Sequence, residues 1–208
     1  NNEAYDFGGG IWIGDNGTDP VFTNITLSQN TATHGGCIHI RNGADPTFTD
    51  VIISNNEVIS YGGGIFIFAN GTDPIFINVT VSQNTALEGG GIYIRDRAEP
   101  TFFNVTITGN SVSTNRGGGI CIYDGPSAVF TNSILWNNSP NEIVNESSTI
   151  TVSYSDIQGG WEGEGNIDIE PLFCNPDSGD YTLAENSPCV GTGENGANMG
   201  AFGVGCEA

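Results

Sequence analysis

Apolar and polar residues alternate in short runs along most of the chain, and the runs recur at a fixed spacing. Alternation with a period of two predicts β-strands that bury one face, whereas a helix would need apolar residues three or four positions apart. The first run of each repeat has the form Ile-x-Ile and follows a Gly-Gly-Gly or Gly-Gly-Cys triplet. These triplets start at residues 8, 35, 62, 89 and 117, at intervals of 27, 27, 27 and 28 residues. A fixed period of this length indicates a solenoid.

The rest of each repeat is equally regular. A polar loop, usually ending in an acidic residue and Pro, leads to Phe-x-Asn or Phe-x-Asp, and a second alternating strand then ends at another Asn. Such short strands cannot each bury a face alone, so successive repeats must stack with about 4.8 Å between rungs. We therefore predict an all-β fold, a parallel β-helix of about six to seven rungs over residues 1–158, whose Ile, Phe and Val columns fill the interior.

The two ends of the chain differ from the repeats. Residues 159–208 lose the period and are rich in Gly, Glu and Pro, which predicts an irregular C-terminal cap over the open backbone edge of the last rung. Only seven residues precede the first triplet. We expect the first rung either to continue into a longer natural chain or to dock onto another molecule, such as the tail of a neighbouring subunit in a head-to-tail array.

Two columns of Asn lie at the corners between the predicted strands. We expect both to point inward, to bend the backbone toward the left-handed conformation and to hydrogen-bond between rungs. N-glycosylation is the alternative for Asn24, Asn78 and Asn104, because each lies in Asn-x-Thr. The first column is Asn24, Asp50, Asn78, Asn104 and Asn132, and the second is Asn30, Asn56, Asn84, Asn110 and Asn138.

The chain carries 24 acidic and 4 basic side chains, a formal net charge of −20. This charge argues against nucleic acid and anionic membranes as partners, because it would repel both. No apolar run is long enough for a transmembrane helix, which needs about 18 residues.

One repeat position before Pro holds an acid in four successive repeats, so like charges should stack at the rung spacing. A hard cation would offset their repulsion, and residues 15–19 and 175–180 offer alternating oxygen ligands around a glycine, which calcium favours. Calcium is therefore a candidate cofactor. The alternative is that these acids are solvated turn residues, since Asp is common before Pro in turns. The candidate ligands are Asp15, Asp19, Asp45, Asp73, Glu99, Asp177 and Asp180.

Cysteine usage points to an oxidising compartment. Cys174, Cys189 and Cys206 cluster in the predicted cap, and we expect one disulfide among them, with Cys174 the favoured participant. Cys37 and Cys121 lie three rungs apart, too far to pair with each other.

The outward positions of the Ile-x-Ile strand collect aromatic and Arg side chains. Such a face could stack on sugar rings, or bind an acidic glycan or another protein. The alternative is that a loop or an upstream part of the chain covers it. The candidate ligand-binding residues are Trp12, His39, Arg41, Phe66, Phe68, Tyr93, Arg95 and Tyr123.

Neither outward face shows a constellation for catalysis. No carboxylate pair has the separation that a glycosidase needs, and no nucleophilic triad is visible. The third strand carries outward Thr and Ser columns similar to the flat arrays of ice-binding β-helices, but Ile52, Ile134 and Trp136 interrupt them. Ice binding is therefore a minor alternative, and the sequence favours a non-catalytic protein.

The repeated Gly-Gly-x-Ile and Phe-x-Asn motifs resemble the right-handed parallel β-helix repeats of bacterial surface and secreted proteins, including the polymorphic outer-membrane proteins of chlamydiae. The tail segments 165–174, 179–183, 187–189 and 199–203 are similar to the terminal module of large secreted or surface-anchored β-helix proteins. The resemblance implies a pectin-lyase-like fold and an extracellular bacterial protein, but no particular reaction.

From these observations we expect a non-catalytic structural or adhesive module of an extracellular or cell-surface protein, able to assemble end to end into a filament. Its partners would be the chain itself, other surface proteins or glycans. The alternative functions are a carbohydrate-active enzyme, either a polysaccharide lyase or a hydrolase, and a glycan-binding module.

Overall fold

A computed structural model describes residues 2–208, in which three parallel sheets form the sides of a β-helix. Strands pair in register with the same position of the next repeat. The short sheet consists of Glu3–Phe7, Thr31–His34, Glu57–Val58, Thr85–Ala86 and Ser111–Val112. The Ile sheet consists of Ile11–Ile13, Ile38–Arg41, Ile65–Phe68, Ile92–Arg95, Ile120–Tyr123 and Ile143–Glu146.

The third sheet, which we call the Phe sheet, has two halves that meet at a corner. The first half carries the Phe column, and the second half follows the corner. Its ten strands are Val21–Thr23, Thr26–Ser28, Thr47–Ser54, Ile75–Ser82, Thr101–Phe103, Thr106–Thr108, Ser127–Thr131, Ile134–Trp136, Thr149–Ser153 and Asp156–Ile157. The solenoid makes about five turns, with five strands in the short sheet and six in the Ile sheet, against the six to seven rungs predicted.

The predicted interior columns are confirmed. Ile38, Ile65 and Ile92 are fully buried, as are Val79 and Val105 of the second-strand column. The Phe rings stack nearly parallel, with successive centroids 4.9, 5.1, 4.9 and 4.3 Å apart. Only the first ring of this stack is partly exposed, because no earlier rung covers it. The stack is formed by Phe22, Phe48, Phe76, Phe102 and Phe130.

Glycine is required in the triplets because the backbones of successive rungs approach closely there. A Cβ on Gly36 would lie 2.1 Å from the carbonyl oxygen of Gly62, and one on Gly63 would lie 2.3 Å from that of Gly90. Gly62, the first residue of its triplet, also has a φ of +64°, which favours glycine. The triplets therefore mark where the chain turns from the short sheet into the Ile sheet.

The second Asn column forms a buried ladder of amide hydrogen bonds. In each rung the backbone N–H and the side-chain Nδ2 donate to Oδ1 of the Asn in the next rung, at 2.9 to 3.0 Å from Asn30 through Asn110. From Asn56 onward each Nδ2 also donates to a backbone carbonyl of the previous rung. The left-handed conformation, expected at these Asn residues, is adopted instead by the preceding residue, as at Gln83.

Glu142 ends this ladder. Its carboxylate accepts the backbone N–H of Asn138 at 2.9 Å on Oε1 and the Asn138 Nδ2–H on Oε2. A carboxylate suits the position because it accepts two bonds and requires no further acceptor. Burial raises the pKa of Glu142 from 4.5 to about 7, although the Asn138 hydrogen bonds favour the ionised form.

The first Asn column lies on the outside of the corner, so the prediction that it points inward is wrong for most of its members. Asn24 and Asp50 are exposed and Asn78 and Asn104 are half-buried, whereas Asn132 is buried. These residues take the left-handed conformation, with φ of +52° to +55°, and this turns the side chain outward. They still bond between rungs: Asn78 donates to Asp50 at 2.9 Å and Asn104 to Asn78 at 3.1 Å.

The cap covers less of the last rung than predicted. Ile157 N–H donates to the Ile167 carbonyl and Ile167 N–H to that of Ser155, so residues 164–167 pair with the last strand. Most of the cap instead packs sideways on the second half of the Phe sheet, where the Ala201 N–H donates to Thr106 Oγ1 at 2.9 Å. Its elements are the strands Phe173–Asn175, Asp180–Ala184 and Val204–Cys206 and the 3₁₀ helices Pro176–Ser178 and Glu194–Gly196.

We predict that Asn84→Leu lowers the free energy of unfolding by about 3 kcal/mol or more, because Asn56 and Asn110 each lose a buried partner. The exposed neighbour Thr85→Val is the matched control and should change stability by less than about 0.5 kcal/mol. Urea unfolding followed by circular dichroism measures both variants. Equal midpoints for the two variants would contradict a stabilising ladder.

The raised pKa of Glu142 predicts a pH dependence of stability. A carboxyl group whose pKa is raised by folding stabilises the folded state while it is protonated. This contribution is complete below the pKa of the unfolded chain and is lost as the pH rises through the pKa of the folded protein. Compared with Glu142→Gln, the wild-type protein should therefore lose stability between about pH 4.5 and pH 7. Thermal melts of both proteins across this range test the prediction, and a constant difference in Tm would contradict it.

Candidate functional site

The outward positions of the Ile sheet, predicted as a ligand-binding face, form a packed layer outside the solenoid. The exposed fraction is 1% for His39, 5% for Phe66, 2% for Tyr93 and 0% for Cys121. Within this column Trp12, in the first rung, is substantially exposed, at 47%, and in the next outward column Tyr123 is 38% exposed. The expectation that this column faces solvent is therefore wrong beyond the first rung, and the alternative that the chain covers it is correct.

The cover comes from residues directly before the Gly triplets. Phe7 lies with its ring centroid 4.8 Å from that of His39, and Tyr61 lies 4.9 Å from Tyr93. Within the layer, His39 and Tyr93 each meet Phe66 edge to face, at 5.0 and 5.5 Å. We call this group the outer aromatic layer. Its members are Phe7, His39, Tyr61, Phe66, Tyr93 and Cys121.

The sequence analysis missed the covering residues, although they too occupy one repeat position. The residue immediately before each triplet is Phe7, His34, Tyr61, Glu88 or Arg116. Three of these five are aromatic and one is Arg. This composition, beside a neighbouring column of aromatic residues, is the signal that could have predicted a closed layer.

Arg and aromatic side chains alternate along the next outward column. Arg41 pairs in register with Phe68, Phe68 with Arg95, and Arg95 with Tyr123. The guanidinium of Arg41 lies 5.7 Å from the Trp12 ring centroid, and that of Arg95 lies 5.3 Å from the Phe68 centroid. These are cation–π distances.

Acidic side chains neutralise part of this column. Arg95 Nε lies 2.8 Å from a carboxylate oxygen of Asp96, and Arg116 lies 3.5 Å from Glu88 and 3.7 Å from Glu146. Arg41 forms no ion pair within residues 2–208, and its buried Nε has no hydrogen-bond partner there. The face therefore offers one guanidinium without a carboxylate, next to the exposed Trp12.

His39 is the polar member of the outer aromatic layer. Both of its ring nitrogens are buried without a hydrogen-bond partner among the described residues. Burial, with the charge of Arg41 as a smaller cause, lowers the pKa of His39 from 6.5 to about 4. The imidazole is therefore neutral near pH 7 and packs as an aromatic ring.

The acid column is held by the backbone of neighbouring rungs. Asp19 Oδ1 accepts the Asp45 N–H at 3.1 Å, and Asp45 Oδ1 accepts the Asp73 N–H at 2.7 Å. Partial burial, then the neighbouring carboxylates of Asp45 and Glu99, raise the pKa of Asp73. Backbone N–H groups thus offset part of the repulsion between the carboxylates of this column.

The other candidate calcium ligands, Asp15, Glu99, Asp177 and Asp180, are exposed. Asp180 Oδ1 accepts the N–H and the hydroxyl of Thr182, and Asp177 lies in the Pro176–Ser178 turn. Within the part of the chain that the structure describes, no three His, Cys, Asp or Glu side chains are grouped as metal ligands. Calcium binding by any of the seven candidate acids stays a prediction.

A disulfide joins Cys174 to Cys206 and ties the first strand of the cap to its last. Cys189 is a buried free thiol whose Sγ lies 3.2 Å from Asp156 Oδ2. Cys37 and Cys121 are also buried and free, and burial raises the pKa of each thiol to about 12.

Two buried acids, Asp156 and Glu142, are not among the site residues predicted from the sequence. Burial raises the pKa of Asp156 to about 6, and this carboxylate accepts the Ile169 N–H at 3.2 Å. Glu142 lines a cleft of about 550 Å³ together with Trp161, but both of its oxygens are occupied by Asn138. Each acid therefore anchors a chain segment at the cap end of the solenoid.

The Thr array on the second half of the Phe sheet is covered by the cap. Thr80 and Thr106 are 1% and 0% exposed, and Ile134 is fully buried. The expectation that this array faces solvent is therefore wrong from the third rung onward, whereas Thr26 and Ile52 of the first two rungs are exposed.

Comparison with known proteins agrees with this architecture. A family model described as a right-handed β-helix region matches residues 1–157. Neither the curated proteins nor the solved structures include a match. No helix of the described residues is long and apolar enough to cross a membrane. Because the family model covers the whole solenoid, the chain belongs to the right-handed β-helix family.

Proposed function

We propose that this protein is a non-catalytic structural module of a bacterial extracellular or cell-surface protein, which holds attached parts on a rigid rod. The observation that carries the proposal is the outer aromatic layer. Side chains that would serve a ligand if exposed are instead packed against one another, so that His39, Phe66 and Tyr93 form a second apolar core outside the solenoid. Two parallel cores stiffen a thin rod against bending.

A further feature supports an extracellular setting. A disulfide between Cys174 and Cys206 is typical of proteins that fold in an oxidising compartment.

The formal net charge of −20 keeps copies apart in solution. Contact with other surface proteins or with a second copy would therefore occur at a surface with little charge.

The free half of the Phe sheet is such a surface. Its outward residues before the corner are Thr, Ser, Val, Ile and Phe, none of which is charged, and the exposed Asp50 lies at the corner itself. Val21, Ile75 and Phe103 are 70%, 42% and 37% exposed. We assign the adhesive role to this face.

A glycan-binding module is the second candidate. The observation that favours it is the exposed Trp12 beside Arg41, whose guanidinium lacks a carboxylate partner within residues 2–208. An exposed indole next to a guanidinium can stack on a sugar ring and donate to its oxygens.

Tyr93→Ala and Tyr123→Ala test whether the outer aromatic layer is a packed structural element. Because Tyr93 is buried in the outer aromatic layer, its truncation should cost about 3 kcal/mol of stability. Tyr123 is 38% exposed, so its truncation should cost about 1 kcal/mol or less. Urea unfolding measures both variants. Similar small losses would contradict a packed structural layer.

The same proteins should be tested on columns of neutral and acidic polysaccharides, with Trp12→Ala as a third variant. We expect no retention of the wild-type protein and no unsaturated product from pectate or alginate, with or without calcium. Retention that disappears in Trp12→Ala would establish the glycan-binding function instead. Unsaturated product that is absent in Arg41→Ala would establish a lyase.

His39→Phe tests the second core directly. Phe extends the column of Phe66 and Tyr93 and removes two unpaired buried nitrogens, so we expect a gain of about 1 kcal/mol near neutral pH. A histidine whose pKa is lowered by folding stabilises the folded state only while its ring is neutral. This contribution is lost as the pH falls from the pKa of the unfolded chain to the pKa of the folded protein. The gain should therefore increase between pH 6.5 and about pH 4.

Thermal melts of both proteins across this pH range measure the effect, and a difference in Tm that stays constant with pH would contradict it. A loss of stability in His39→Phe at every pH would show that the imidazole is required for more than packing.

A further inference from the structure

Four Asn-Gly pairs lie in turns of this chain, at Asn16-Gly17, Asn42-Gly43, Asn70-Gly71 and Asn195-Gly196. All four Asn side chains are exposed. In such a pair the backbone nitrogen of Gly can attack the side-chain amide carbon of Asn. The C–N bond to the side-chain amide then breaks, ammonia leaves and a cyclic imide forms. Water opens this ring to Asp or to isoaspartate.

This reaction requires a Gly nitrogen that is not held by a hydrogen bond and a turn that can rotate toward the Asn side chain. Glycine favours the reaction because it has no Cβ to obstruct the approach. The four turns have identical dipeptides, so any difference in their reactivity comes from the fold.

The turn of the second rung is held on both sides. The Gly43 N–H donates to Thr72 Oγ1 in the next rung at 3.0 Å. A Cβ on Gly43 would lie 3.3 Å from the Gly71 carbonyl oxygen and 3.5 Å from Asn16 Cβ. Gly43 is therefore enclosed between the turns of the first and third rungs, and its nitrogen is occupied.

The cap turn is also held. The Gly196 N–H donates to the Gly193 carbonyl at 3.1 Å, within the Glu194–Gly196 3₁₀ helix. Attack on Asn195 would require this bond to break.

The turns of the first and third rungs differ from these two. A Cβ added to Gly17 or to Gly71 would meet no atom within 4 Å, unlike one on Gly43, although Gly196 is equally open. Within residues 2–208 neither glycine nitrogen donates a hydrogen bond. Both turns share the sequence Asn-Gly-Thr-Asp-Pro, in segments 16–20 and 70–74.

We propose that Asn16 and Asn70 are sites of spontaneous deamidation in the folded protein, and that the fold protects Asn42 and Asn195. Each conversion adds a carboxylate three residues before a member of the acid column, Asp19 or Asp73. The modification thus raises the negative charge along one edge of the solenoid as the protein ages. This inference concerns turn chemistry and does not depend on the proposed function.

The test is incubation of the folded full chain at mildly alkaline pH, followed by chymotryptic digestion and peptide mass spectrometry. We expect conversion at Asn16 and Asn70 to be at least about ten-fold faster than at Asn42 and Asn195. In the urea-unfolded chain the four rates should become similar. Equal rates at all four sites in the folded protein, or Asn42 among the fast sites, would overturn the proposal.

Thr72→Val tests the cause of protection, because it removes the acceptor of the Gly43 N–H and nearly preserves side-chain shape. The conversion of Asn42 should then accelerate several-fold, while that of Asn16 stays unchanged. Thr72→Ser, which keeps the hydroxyl, should protect Asn42 as the wild type does. An unchanged Asn42 rate in a folded Thr72→Val protein would refute the role of this hydrogen bond.

Discussion

In-register stacking is the constraint on which this structure depends. Each interior side chain has the side chain of the same repeat position about 5 Å away, as the Phe centroids show. A residue type can occupy successive rungs only if it tolerates a copy of itself at that distance. Phe does so by parallel stacking. Asn does so because its amide both donates and accepts, so a column of identical residues satisfies itself.

Charged residues of one sign repel one another at this distance, and the acidic and the basic columns offset the repulsion in different ways. The carboxylates of Asp19 and Asp45 accept backbone N–H groups of the next rung. Arg41 and Arg95 are instead separated by an aromatic ring, since Phe68 lies in register between them. Alternation places each guanidinium next to an aromatic ring rather than next to another guanidinium. The surface columns therefore follow the same stacking rule as the core.

The sequence predicts those features that repeat. The period, the buried Ile and Phe columns and the inter-rung bonding of the Asn residues all follow from residues that recur every rung. The direction of the first Asn column does not, because an Asn at a corner points outward or inward according to which residue takes the left-handed conformation. The structure places that conformation at Asn78 in one corner and at Gln83, next to the ladder residue Asn84, in the other.

The candidate site was harder to predict than the fold. Alternation assigns Phe66 and Tyr93 to the outer side of the sheet, which is correct, but the outer side is solvent only if nothing packs on it. Here Phe7 and Tyr61 cover it from an adjacent repeat position. The cap has no repeat at all, and its contacts join residues as distant as Thr106 and Ala201, so local pattern carries no information about them.

Where the cap lies follows from where the chain leaves the solenoid. The single strand Ile75–Ser82 has Ile75 42% exposed in its free half and Thr80 1% exposed in its covered half, although both halves present uncharged Thr and Ile outward. The residue composition of the two halves therefore does not explain why only one of them is covered. The last strand, Asp156–Ile157, belongs to the second half, and closing a short connection onto the adjacent face costs less chain entropy than reaching a distant one. The exit point of the chain therefore determines which half is covered, and it leaves the other half of the same sheet uncovered.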